Sequence, residues 1–67
     1  MKEKLRAARV AAGKTQLQVA KEAGISVAQY QNIEYGRSVA SVDFAIRIAE
    51  ALGATVEALF KEGDDEP

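Results

Sequence analysis

Thr15–Gly36, TQLQVAKEAGISVAQYQNIEYG, constrains the fold of this chain more than any other stretch. It holds two short helical segments joined by a turn tight enough to set one across the other. Thr15 can cap the first, because its hydroxyl accepts an amide proton that a first helical turn leaves unpaired. Val19, Ala20 and Ala23 then recur at helical spacing, which gives an apolar face ending at Ala23. Gly24 stops the helix where a left-handed residue is needed. Ile25 closes the corner. Ser26 can cap a second helix that buries Tyr30 and Ile33, and Gly36 ends it. The outer face of that second helix carries Val27, Ala28, Gln29, Gln31 and Asn32, short or amide-bearing and uncharged. Plain solvent exposure favours Lys and Glu, so such a face suits a surface that enters a groove and touches bases.

These residues carry a family resemblance. Arg9, Gly13, Thr15, Gln16, Val19, Ala20, Gly24, Ile25, Ser26, Ile33, Glu34 and Gly36 stand where the lambda-repressor and Cro-like (XRE-type) helix-turn-helix domains have matching residues. Ile48, Ala49, Ala51, Leu52, Gly53 and the run Val56–Phe60 continue the match. The chain thus resembles that DNA-binding family over roughly residues 4–60, in one register without a gap. The resemblance implies an all-α fold, a compact bundle of five short helices with the helix-turn-helix at the second and third.

Sixty-seven residues make one domain, near the lower size at which a chain buries enough apolar surface to fold alone. There is no Cys and no His, which removes disulfides, thiolate metal sites and the commonest general base. Asp43, Asp64 and Asp65 have no spacing that suggests a metal site or a catalytic carboxylate pair, so no enzyme activity, metal or cofactor is expected. No apolar run reaches membrane-spanning length, and the charged start lacks a signal-peptide core. A cytoplasmic protein without a membrane partner is the expectation. The net charge of −1 speaks against nucleic acid until its distribution is read. Residues 1–14 hold five basic side chains against one acidic, residues 61–67 one against four. The folded part is therefore mildly basic and lopsided, which permits phosphate binding.

In chain order, residues 2–12 read as a first helix with Leu5, Ala8 and Ala12 inward, ended by Gly13. Residues 36–41 form a loop in which Ala40 stands where family members often carry proline. Ser41 can cap a fourth helix over Val42–Leu52 that buries Val42, Ala45, Ile48, Ala49 and Leu52, with Gly53 as its stop. Thr55 caps a short last helix, VEALF. The domain is expected over residues 1–60, followed by an acidic, disordered tail over 61–67.

The resemblance also assigns roles. Arg9 and Glu34 form a structural ion pair that fixes the angle of the recognition helix, with the guanidinium edge still able to meet a phosphate. Gln16 binds a phosphate and braces the same helix. Val27, Ala28, Gln29 and Asn32 occupy the base-reading positions, Asn32 best suited to adenine and the first two limited to methyl contact. Lys14, Ser26, Gln31, Tyr35, Arg37 and Ser38 complete the expected phosphate contacts, with the amides of Gln29 and Gln31 able to reach either a base edge or a phosphate. Val56, Leu59 and Phe60 are the expected dimer interface. The reading is a sequence-specific transcriptional regulator, a repressor, that binds an inverted-repeat operator in double-stranded DNA as a homodimer. The rival is an antitoxin or anti-repressor module of the same fold whose main partner is another protein.

Overall fold

The structure, a computed structural model, describes residues 2–61. Five helices follow one another: α1 (Glu3–Ala11), α2 (Gln16–Ala23), α3 (Val27–Glu34), α4 (Val42–Leu52) and α5 (Val56–Phe60). No strand occurs among the described residues, and the fold is the expected all-α, lambda-repressor-like bundle.

The caps explain the helix starts. The Thr15 hydroxyl accepts from the Gln18 amide at 3.1 Å, and the Gln18 side-chain oxygen accepts from the Thr15 amide at 2.8 Å. Ser26 and Gln29 repeat this reciprocal arrangement at 3.0 and 2.9 Å. Ser41 and Thr55 cap α4 and α5 through their hydroxyls. Gly24 closes α2 with φ of 74°, a left-handed conformation that a side chain would strain. Lys2 makes no side-chain cap on α1; instead its amide donates to the Glu34 carbonyl at 2.8 Å, which ties the start of α1 to the end of α3.

Leu5, Val19, Ala20, Ala23, Tyr30, Ile33, Ile48, Ala49 and Leu59 form one buried core. α2 packs against both α3 and α4, while α1 packs against α5 and α3. Ala20 and Ala23 on α2, with Ala45 and Ala49 on α4, are small enough for the helices to approach closely.

Two expected core positions fall outside it. Ala12 lies just past α1 and is exposed. Val42 is 78% exposed. It is the first residue of α4, and the side of that helix facing the core runs through Ala45, Ile48 and Ala49. Leu52 is only partly buried. Of the acidic tail, residues 62–67 lie outside the described residues. Among the described residues no helix is long and apolar enough to cross a membrane.

Candidate nucleic-acid interface

The site is built on one buried carboxylate. Glu34, at the last turn of α3, is 1% exposed. Arg9 of α1 grips it with two parallel bonds, Nε to Oε1 at 2.8 Å and Nη2 to Oε2 at 3.2 Å. The third guanidinium nitrogen of Arg9, Nη1, donates to the Lys14 carbonyl at 2.9 Å. The Tyr30 hydroxyl donates to Glu34 Oε1 at 2.7 Å, and Gln16 Nε2 donates to Oε2 at 2.8 Å. Helices α1, α2 and α3 therefore meet at one charged group, with no buried side-chain polar atom left unpaired among the described residues.

Burial pushes the Glu34 carboxyl up, but the hydrogen bonds from Arg9, Tyr30 and Gln16 outweigh it and hold the group below its usual range. The bond to Glu34 holds the Arg9 guanidinium above its usual value. Burial, followed by the bond to Glu34, pushes the Tyr30 hydroxyl well up. The sequence placed Tyr30 in the buried core, as found, but not at the carboxylate, although its i, i+4 spacing to Glu34 on one helix is the signal for that contact.

From the buried pair the network runs outward. Gln16 Nε2 also donates to the Tyr35 hydroxyl at 3.2 Å, and Gln31 Nε2 donates to Gln16 Oε1 at 3.1 Å. Ala28 and Gln29 stand exposed on α3, with Val27, Gln31 and Asn32 half-buried beside them. The backbone carbonyl of Asn32 accepts from the Arg37 and Ser38 amides at 2.8 and 3.1 Å, so the loop after α3 folds back on its end. The Arg37 guanidinium lies 5.3 Å from the Tyr35 ring centroid, a cation–π distance.

Four expected phosphate contacts have other partners here, the first being Gln16, whose amide nitrogen is spent on Glu34 and Tyr35. Lys14 Nζ reaches Glu22 Oε1 and the Ala51 carbonyl, both at 2.7 Å, and so sits against the C-terminal turn of α4. The Ser26 hydroxyl caps α3, which leaves the oxygen of Gln29 spent on the Ser26 amide and its amide hydrogens available. Gln31 gives its amide to Gln16. Of the expected dimer residues, Leu59 is 3% exposed and belongs to the monomer's own core, whereas Val56 and Phe60 are half-buried. Large exposed apolar side chains lie elsewhere, at Val10, Leu17, Val39, Val42 and Ile46. No cluster of three or more metal-ligating side chains occurs among the described residues.

The family pattern described as helix-turn-helix matches residues 5–59. Among curated proteins the chain is similar to the cryptic phage CTXphi transcriptional repressor RstR of Vibrio cholerae serotype O1. The two are 37% identical over 59 residues, which cover 88% of this chain and 53% of that protein. The chain thus spans about half the length of the curated relative it matches. No solved structure matches it significantly. With the pattern running from α1 to α5 and the capped α2–Gly24–α3 unit at its centre, the chain belongs to the XRE-type helix-turn-helix family of DNA-binding domains.

Proposed function

We propose that the chain is a transcriptional regulator, a repressor, acting in the cytoplasm as a homodimer on an inverted-repeat operator, with α3 in the major groove. One observation carries the reading. An uncharged helix face, Ala28 and Asn32 with Gln29 and Gln31 at its sides, is held on a buried charge network that joins three helices. A surface that reads base edges needs side chains without bulk or competing charge, fixed in direction before contact. In this reading Val27, Ala28, Gln29 and Asn32 face bases, while Arg37, Ser38, the Tyr35 hydroxyl and the free edge of Arg9 meet phosphates. Similarity to a phage repressor favours repression over activation.

Selection of bound sites from a random pool of double-stranded DNA, followed by affinity measurements across salt, tests it. The expected result is an enriched two-fold site whose affinity falls steeply with salt. Asn32→Ala should lower affinity for the selected site by about 1–3 kcal/mol and relax one base pair per half-site. Arg37→Ala should weaken all sequences alike and flatten the salt dependence by about one phosphate. No enrichment and no salt dependence would hand the fold to a protein-binding role instead.

A further inference from the structure

The hydrogen-bond network does more than hold α3 in place: it has a direction. A carboxylate can only accept, so the contact at 2.8 Å between Glu34 and Gln16 must be made by the Gln16 amide nitrogen. That fixes the Gln16 oxygen on the other branch, where it takes the amide nitrogen of Gln31 at 3.1 Å. The polarity passes on once more: the oxygen of Gln31 accepts no bond among the described residues. An unattached glutamine can turn its amide over and show either edge to a base. Gln31 cannot do so without losing its bond to Gln16 and setting two carbonyl oxygens against each other.

We propose that Glu34, acting through Gln16, fixes Gln31 with its carbonyl oxygen toward the DNA, so that this position of α3 selects an amino base, adenine or cytosine, on one strand. The inference rests on the reading of α3 as a major-groove helix. In that groove adenine N6 and cytosine N4 are donors, whereas guanine and thymine present only acceptors. The Gln31 oxygen bonds to either amino base. The remaining hydrogen on its amide nitrogen can add a contact to adenine N7. A keto base in the same place leaves oxygen facing oxygen, so the exposed oxygen of Gln31 favours an amino base over a keto base. Gln16 is then a positioning residue, which sets the edge that Gln31 shows without touching the base.

Site selection with the whole chain tests this in three variants. Wild type should prefer adenine or cytosine at one strand position, and Gln31→Ala should flatten that position alone by about threefold to tenfold. Gln16→Ala frees the amide to turn, so guanine and thymine should become accepted at that position while the others keep their preferences. Removing the exocyclic amino group from the selected base, with purine for adenine or 2-pyrimidinone for cytosine, should weaken wild type by a similar factor. The same removal should leave Gln31→Ala unchanged. A guanine or thymine preference at the Gln31-dependent position would overturn the proposal, as would an enriched site with no position that responds to Gln31→Ala. A pool that wild type does not enrich at all removes the major-groove reading itself and this inference with it.

Discussion

Glu34 shows how much one buried charge can be asked to do. Its desolvation is offset only because every partner donates: the bidentate Arg9, the Tyr30 hydroxyl and the Gln16 amide. Removing a charge from such a group leaves Arg9 facing a neutral amide, and Glu34→Gln should cost about 3 kcal/mol at neutral pH. The pH dependence follows from the direction of the shift. The carboxyl lies below its usual range in the folded state, so the unfolded chain binds the proton more readily. The stabilisation is therefore present above the ordinary carboxylate range and is lost as pH falls through the lowered folded value. Denaturant unfolding of wild type and Glu34→Gln from neutral to acid pH should show the gap closing on the acid side. A gap that stays constant with pH would mean that the carboxylate contributes nothing by its charge.

At the scale of elements, the helix-turn-helix depends on how closely α2 approaches its neighbours. Ala20 is 1% exposed, on the helix that packs against both α3 and α4. Ala20→Leu should overpack this contact at about 1–3 kcal/mol, seen as a lowered midpoint of thermal unfolding. Lys14 offers a second test, because two roles compete for its ammonium. If it holds the end of α4 through the Ala51 carbonyl, Lys14→Met should cost about 1 kcal/mol of stability and leave the salt dependence of DNA binding unchanged. A slope flattened by about one phosphate would restore it to the DNA face. The helices themselves were legible from local chemistry, since Thr15, Ser26, Ser41 and Thr55 start four of them and Gly24 and Gly53 stop two. What escaped was phase at the ends: Val42 and Ala12 have the right residue type but lie beyond the core-facing turns. The pairing of Arg9 with Glu34 was reached through the family resemblance. The competing partners of Lys14 and Gln31 were not, because they depend on which elements touch, and spacing along the chain does not encode that.

For the whole molecule, the question is how a reading helix of eight residues gains specificity. Such a helix is about 12 Å long and spans only a few base pairs. Its first two reading positions, Val27 and Ala28, offer only methyl groups, so one copy should bind little better than non-specifically. Two-fold pairing presents two such helices on successive faces of the groove and doubles the contacts without new residues. Two surfaces compete for the pairing. The exposed side chains of Val39, Val42 and Ile46 offer more apolar area, but Val39 lies two residues from Arg37, on a loop read as part of the phosphate contact. The half-buried Val56 and Phe60 stand on α5, which packs mainly against α1 and α4. Pairing through α5 predicts that Val56→Lys abolishes the dimer while Val42→Lys leaves it intact. It also predicts half-site centres about 10–11 base pairs apart in the selected operator. Sedimentation of both variants, alone and with that operator, measures the first point. A chain that stays monomeric at micromolar concentration and binds its operator as a single copy would refute pairing altogether; loss of the dimer in Val42→Lys alone would move it to α4.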